Sequence, residues 1–281
     1  MRCLDLFAGG CNGFGLAAQW MGWETVACVE IDKFNQKLLR KNFPESEIYG
    51  DIREFNTREA AKYRGRIDLI TGGFPCQDLS AAGKMVGIDG ERSGLWSEMF
   101  ESIRILRPKY IIIENSPNLL ILGFERVLCD LSKIGYSAEW QCISNHSFGF
   151  PHKRERLYVI AYPNSIGQEC KICEEGCFRS IFKLWTSNQN YGYSLSERIH
   201  QITTSPIIRN GHGFRNWSHR ITAIGNAINP IVGYYLMNLI KAYETEVSLP
   251  NCAYLGCNKV AVYNAANGFR KTVMGKAVRY V

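Results

Sequence analysis

The stretch that decides the fold reads Asp5-Leu6-Phe7-Ala8-Gly9-Gly10-Cys11-Asn12-Gly13-Phe14-Gly15. It follows a short apolar strand candidate and runs into an amphipathic segment, so it predicts a glycine-rich turn between a strand and a helix. Glycines let a ligand approach the backbone, and Glu30, at the end of the next strand candidate, can bind the hydroxyls of an adenosine ribose. This pattern alone does not separate a nicotinamide cofactor from S-adenosylmethionine.

The first 162 residues alternate apolar strand candidates with helix-length amphipathic segments. The strand candidates are 3–8, 25–30, 67–72, 109–114, 138–144 and 156–162, and the helical segments lie near 13–21, 32–42, 94–106 and 120–134. Strands separated by helices are typical of parallel βαβ units. We therefore predict an α/β fold with a doubly wound, mostly parallel sheet, whose ligands bind beyond the carboxyl ends of the strands.

Composition changes along the chain and predicts three regions. Residues 1–162 and 220–246, which include a helical pattern at 228–242, are expected to form the catalytic domain, and 163–219 a small irregular subdomain. Residues 247–281 form a basic extension with five Lys or Arg and no Asp or Glu, within a chain of formal net charge +7. Basic segments beside a neutral core favour a polyanionic partner.

A second decisive stretch reads Gly72-Gly73-Phe74-Pro75-Cys76-Gln77-Asp78-Leu79-Ser80 and directly follows a strongly apolar strand candidate. A cysteine at the carboxyl end of a strand faces the ligand crevice, where a nucleophile is useful. Glu114 ends the neighbouring strand candidate, in Ile111-Ile112-Ile113-Glu114-Asn115-Ser116-Pro117. Cys76 and Glu114 at adjacent strand tips predict a nucleophile and an acid that act together.

These motifs resemble the DNA cytosine-5 methyltransferase family, most closely its compact phage and prophage members. Pro151-His152-Lys153-Arg154-Glu155-Arg156 and Gly225-Asn226-Ala227-Ile228-Asn229-Pro230 follow in the family's order. The resemblance covers 1–162 and 220–243 and implies the S-adenosylmethionine-dependent methyltransferase fold, with target recognition in 163–219. That segment is short, which favours a short or relaxed target sequence.

The resemblance implies covalent catalysis on a cytosine flipped out of the duplex. The Cys76 thiolate adds to C6, which makes C5 nucleophilic towards the methyl group of S-adenosylmethionine. Glu114, protonated because its pKa is raised, donates to N3. Loss of the C5 proton and elimination of Cys76 then release 5-methylcytosine. Arg154 and Arg156 add positive charge that favours the thiolate, Arg156 lies near the cytosine O2, and Pro75 belongs to the same catalytic set.

The resemblance also assigns binding residues. Phe7 packs beside the adenine, Glu30 binds the ribose and Asp51 accepts from the adenine amino group. The full cofactor set is Phe7, Ala8, Gly9, Gly10, Gly13, Glu30, Ile31, Asp51, Ile52, Pro75, Leu95, Asn226 and Ala227. The DNA-binding set is Gln77, Ser80, Lys84, Arg154, Arg209 and Arg215.

The sequence departs from the family pattern at several positions. The glycine turn is one residue longer, with Cys11-Asn12 in its middle, and His152 stands where glutamine is usual. Cys170, Cys173 and Cys177, with Cys252 and Cys257 in the tail, suggest thiolate metal binding, but their spacing is not a standard zinc pattern. We therefore expect no metal and free thiols.

Three other functions are compatible with part of the sequence. They are an RNA (tRNA) cytosine-5 methyltransferase, a catalytically impaired DNA-binding relative and a nicotinamide-dependent dehydrogenase, of which the last explains neither Cys76 nor Glu114. No apolar run reaches the length of a membrane helix and no signal peptide is evident, so we expect a cytoplasmic protein. We further expect a monomer that binds double-stranded DNA, with a cognate restriction endonuclease as a candidate partner.

Overall fold

The structure is a computed structural model that describes residues 1–75, 95–150, 154–165 and 227–244. In these segments the strands are β1 (Arg2–Leu6), β2 (Glu24–Val29), β3 (Glu47–Tyr49), β4 (Leu69–Gly72), β5 (Tyr110–Asn115), β6 (Tyr136–Ser144) and β7 (Glu155–Pro163). The α-helices are α1 (Gly13–Trp20), α2 (Lys33–Asn42), α3 (Ile52–Glu54), α4 (Leu95–Leu106), α5 (Phe124–Lys133) and α6 (Pro230–Glu244).

The seven strands form one sheet in the order β3-β2-β1-β4-β5-β7-β6. β1 to β5 are parallel to one another, whereas β7 runs antiparallel to both β5 and β6. The predicted doubly wound, mostly parallel α/β fold is therefore confirmed. The direction of winding reverses between β1 and β4, so the turns after these two strands flank the crevice where such folds bind ligands.

Both faces of the sheet are covered, which explains the nearly continuous apolar sequences of its central strands. Every residue of β5 is buried. On one face Ile111 and Ile113 pack in a core with residues of α4 and α5, and on the other face Tyr110 and Ile112 pack with residues of α1 and α6. The predicted helix at 228–242 is confirmed as α6, which returns to the central part of the sheet.

Local capping groups mark boundaries of three helices. The Asp32 side chain accepts a hydrogen bond from the Asn35 N–H at 2.8 Å and caps α2. Gly22 and Gly135 follow α1 and α5 with φ of +69° and +80°, in the left-handed region that favours glycine. Local capping chemistry therefore sets these boundaries.

One helical region between β3 and β4 escaped prediction. α3 continues into a wide π-type turn at Phe55–Glu59 and a 3₁₀ turn at Ala60–Tyr63. Its buried apolar residues are Ile52, Phe55, Ala60 and Tyr63. The five-residue step from Phe55 to Ala60 breaks the α-helical period, and the π-type turn is what brings both residues into the core.

Several predicted regions lie outside the described residues. They include most of the 163–219 subdomain and all of the 247–281 extension, so the predicted domain boundaries stay predictions. Within the described segments, none of the helices combines the length and hydropathy needed to cross a membrane.

Candidate active site

The glycine turn after β1 opens towards the crevice. Phe7, Gly9 and Asn12 have positive φ, and a Cβ on Gly9 would meet no atom within 4 Å. The Asn12 side chain is buried, accepts a hydrogen bond from Gly15 N at 2.7 Å and donates one to Cys28 Sγ at 3.3 Å. Asn12 thus caps α1 and fastens the lengthened turn to β2, while the Gly9 side of the turn stays accessible.

Glu30 lies directly against this turn. Its Oε2 accepts from the Gly9 N–H at 2.8 Å and its Oε1 accepts from the Asp32 N–H at 2.7 Å. The side chain is 8% exposed, and burial raises its pKa although both N–H groups act in the opposite direction. Because each carboxylate oxygen has two lone pairs, Glu30 can still accept hydroxyl donors from a ligand. The neighbouring Ile31 is 69% exposed and offers an apolar contact at the same place.

Asp51 and Ile52 follow β3 at the same edge of the sheet. Asp51 caps α3 by accepting from the Arg53 N–H at 2.8 Å, and Arg53 Nη1 lies 3.4 Å from its other oxygen. Ile52 is buried in the core. A small cavity beside Asp51 is lined by Tyr49, Gly50, Glu54, Phe55, Arg58 and Glu59. Asp51 lies at the edge of the sheet where an adenine contact was predicted. The cofactor contacts of Asp51 and Ile52 stay predictions.

Glu114 and the two predicted arginines are brought together by the antiparallel strand. Glu114 pairs with Tyr158 of β7, so the beginning of β7 lies at the same edge of the sheet as the carboxyl end of β5. Arg156 Nε is 3.1 Å from Glu114 Oε1. Arg154 is near enough to contribute to the electrostatic environment of Glu114. The structure therefore brings together residues that are 40 or more positions apart in the sequence.

Burial controls the protonation of Glu114. The residue is 9% exposed, and the loss of hydration raises the pKa of its carboxyl group. Arg156 and Arg154 lower this pKa, but the effect of burial is larger. The direction agrees with the predicted protonated acid.

Gly73 and Asn115 connect Glu114 to the segment that leads into Cys76. Neither residue was assigned a role from the sequence. A Cβ on Gly73 would lie 2.6 Å from Glu114 Oε2, so the backbone after β4 passes directly against the carboxyl group. Asn115 is buried, donates from Nδ2 to the Phe74 carbonyl at 3.1 Å and accepts from the Ser116 N–H at 2.8 Å. A signal existed in the sequence: an amide directly follows the acid at the strand tip, and a glycine pair precedes Phe74.

The other predicted glycines have packing roles. A Cβ on Gly13 would lie 2.2 Å from the Ile228 carbonyl oxygen, and one on Gly10 would lie 2.6 Å from Asn35 Oδ1. Gly13 thus lets Ile228, next to the predicted Ala227, pack against the start of α1. Gly10 lets the turn pack against α2. Contacts of both glycines with a cofactor stay predictions.

The remaining predicted residues are partly described. Phe7 and Leu95 pack partly buried against the core, Ala8 is buried and Pro75 is half-buried at the end of its segment. Cys76, Gln77, Ser80, Lys84, Arg209, Arg215, Asn226 and the cysteines at 170, 173, 177, 252 and 257 lie outside the described residues. Where the structure describes the chain, it holds no group of three or more His, Cys, Asp or Glu side chains that could bind a metal ion.

Comparison with known proteins gives consistent matches. Residues 1–212 match the family model for C-5 cytosine-specific DNA methylase. The Type II methyltransferase M2.BsuMI of Bacillus subtilis (strain 168) is 36% identical over 169 residues, which are 57% of this chain and 42% of the relative. The Type II methyltransferase M.HgiBI of Herpetosiphon aurantiacus is 32% identical over 260 residues, which are 88% of this chain and 55% of the relative.

Among solved structures, a DNA modification methyltransferase encoded within an E. coli prophage superposes with a TM-score of 0.49 and 24% identity, over 59% of this chain and 47% of that one. The chain spans about half the length of the curated relatives it matches. The match to the family model extends over three quarters of the sequence. The chain belongs to the C-5 cytosine-specific DNA methylase family.

Proposed function

We propose that this chain is an S-adenosylmethionine-dependent DNA (cytosine-5)-methyltransferase with Cys76 as nucleophile and Glu114 as acid. The observation that carries the proposal is the buried Glu114 carboxyl group, which lies 3.1 Å from Arg156 and against the backbone of Gly73. Gly73 is three residues before Cys76 in the sequence. Membership of the family supports the same assignment.

Glu114 is suited to donate a proton to N3 of cytosine. Its raised pKa increases the protonated fraction at any given pH compared with an exposed glutamate. Arg156 and Arg154 keep the environment positive, which favours a nearby thiolate and stabilises negative charge that develops on the base. The acid and the positive charge thus serve the same step.

The reaction proceeds through a covalent bond to the protein. The Cys76 sulfur attacks C6 and forms an S–C6 bond, and the electron pair displaced from the ring double bond makes C5 nucleophilic while Glu114 protonates N3. Once C5 carries the methyl group, a base removes the C5 proton, the S–C6 bond breaks and Cys76 leaves as the thiolate. Glu114 recovers its proton from N3.

The residues around the glycine turn fit an adenosine-containing cofactor. Glu30 would bind the ribose hydroxyls with its remaining lone pairs, and Phe7 and Ile31 would pack beside the adenine. The open side of Gly9 leaves room for close approach. When bound, S-adenosylmethionine supplies a methyl group made electrophilic by the sulfonium. We assign adenine recognition to Asp51 in the same proposal.

The substrate we propose is double-stranded DNA in the cytosol. Residues 163–219 would recognise the target, and Gln77, Ser80, Lys84, Arg209 and Arg215 would contact the DNA. The excess of positive charge in 163–219 and 247–281 supports a polyanionic partner. A cognate restriction endonuclease and a monomeric state belong to the same proposal.

The test is bisulfite sequencing of plasmid DNA from a methylation-free bacterial host. The host expresses the wild type, Cys76→Ser, Glu114→Gln or the control Cys142→Ser, which alters a half-buried thiol on β6. We expect methylated cytosines in one sequence context for the wild type and the control, and none for the other two. Unmodified plasmid together with methylated tRNA would overturn the DNA substrate. Methylation by Cys76→Ser would overturn the mechanism.

A further inference from the structure

Asn145 occupies a buried position between Arg154, which lies near Glu114, and the segment that precedes α6. It directly follows β6, and it is 5% exposed. Its backbone N–H donates to the Arg154 carbonyl at 2.9 Å, and its carbonyl accepts from the Phe150 N–H at 3.4 Å. Its side-chain Oδ1 accepts from Asn229 Nδ2 at 3.2 Å. One residue is therefore bonded both to Arg154 and to the segment that precedes α6.

Asn229 continues this connection towards the cofactor side. Its Oδ1 accepts from the Ile231 N–H at 3.0 Å and its carbonyl accepts from the Gly233 N–H at 3.1 Å, so Asn229 caps α6. The preceding carbonyl, that of Ile228, lies on Gly13 at the start of α1. Residues 227–229 are thus held between the glycine turn on one side and Asn145 on the other.

The two functions of the Asn229 amide are separate. Its oxygen holds the end of α6, whereas its nitrogen holds Asn145. α6 is also fixed by buried apolar residues, including Val232, Met237 and Ile240. Removing the Asn145 side chain therefore leaves the helix and its cap intact. The change does remove the hydrogen bond that the Asn145 side chain accepts from Asn229 Nδ2.

We propose that Asn145 is a positioning residue for cofactor binding, acting through Asn229 on residues 227–229 and the adjoining glycine turn. Through its backbone hydrogen bond to Arg154, Asn145 also connects the cofactor-binding residues to the arginines beside Glu114. This inference rests on the proposed function, since it requires that the glycine turn binds the cofactor. It adds a residue that neither the motifs nor their spacing pointed to.

The experiment is calorimetric titration of the full chain with S-adenosylhomocysteine, below the melting temperature of every variant. The variants are Asn145→Ala, Asn145→Asp, Asn229→Ser and the double variant Asn145→Ala/Asn229→Ser. Serine retains the ability to cap α6 but does not reach Asn145. The control is Asn238→Ala on α6, where the amide donates to the Tyr234 carbonyl of the same helix at 2.8 Å.

We expect Asn145→Ala and Asn229→Ser each to weaken binding about 3- to 10-fold, the range of one net hydrogen bond. The double variant should be no weaker than the weaker single variant, because both changes remove the same bond. Asn145→Asp should restore part of the affinity, since its carboxylate still accepts from Asn229. Asn238→Ala should bind like the wild type.

The outcomes separate this inference from the proposed function. A wild type that binds no S-adenosylhomocysteine overturns the proposed cofactor and the inference with it. A wild type that binds, with Asn145→Ala and Asn229→Ser both folded and equally tight, overturns the inference alone. Additive losses in the double variant, or an equal loss in Asn238→Ala, also overturn it. If Asn145→Ala does not fold, Asn229→Ser and Asn145→Asp still decide.

Discussion

Replacing Gly73 with alanine tests the close approach between the Cys76-bearing segment and the acid. The added Cβ would lie 2.6 Å from Glu114 Oε2. An ordinary C···O contact is about 3.3 Å, so the carboxyl group must move by roughly 0.7 Å. The Glu114 backbone oxygen is 3.4 Å from the same Cβ and need not move. The clash therefore falls on the acid itself and disturbs its 3.1 Å contact with Arg156.

We expect the effect of Gly73→Ala on catalysis to exceed its effect on stability. A displacement of this size at a reacting group costs about 10- to 100-fold in turnover. The free energy of unfolding should fall by only about 1 kcal/mol, because only the end of one side chain has to shift. The measurements are methyl transfer from labelled S-adenosylmethionine to unmethylated DNA and urea-induced unfolding.

The matched control is Gly22→Ala, at the end of α1. Gly22 has a φ of +69° and open space around its Cβ position, so alanine there introduces backbone strain of about 1 kcal/mol without a clash. It should lose a similar amount of stability and keep its turnover. Wild-type turnover in Gly73→Ala, or equal losses of turnover in both variants, would refute the argument that Gly73 sets the position of Glu114.

Two further predictions concern buried polar groups near the site. Asn115→Ala removes the hydrogen bonds to Phe74 and Ser116, so we expect the free energy of unfolding to fall by about 1–3 kcal/mol, as urea unfolding would measure. Turnover, measured as methyl transfer, should fall more than in Asn238→Ala. Unchanged turnover would contradict the positioning of Phe74 by Asn115. Asp5 is buried, accepts from Thr71 Oγ1 at 2.6 Å and has its pKa raised by burial from 3.8 to about 7. The folded state holds this proton more tightly than the unfolded state. The stability of the wild type relative to Asp5→Asn should therefore fall as pH rises from about 4 to about 7. A stability difference that does not change over this range would contradict a buried, protonated Asp5 carboxyl group.

The parallel strands β1, β2, β4 and β5 were predictable because their signals are local. Apolar strands, helix-length spacers, the Asp32 cap and the glycines after α1 and α5 each act within a few residues. The placement of β7 between β5 and β6 was not predictable, since it depends on pairing between segments far apart in the sequence. That pairing is what brings Arg156 to Glu114.

The sequence predicted which types of residue the candidate site contains, but not most of the contacts between them. Glu30, Glu114, Arg154 and Arg156 occupy the expected edge of the sheet. The packing of Gly13 on Ile228 and of Gly73 on Glu114 depends on backbones that approach in three dimensions, and a sequence shows only that glycine is present. The proposed role of Asn145 has no local signal in the sequence, because it rests on Arg154, just before β7, and on Asn229, just before α6.

The central claim is that Cys76 forms a bond to C6 of cytosine, and the most direct measurement traps that bond. DNA containing 5-fluorocytosine, incubated with the protein and S-adenosylmethionine, should retain the protein covalently, because fluorine at C5 cannot leave as a proton does. Peptide mapping by mass spectrometry should place the adduct on Cys76, and Cys76→Ser should give none. Methylation of ordinary DNA without any trapped adduct, or an adduct on another cysteine, would contradict the account.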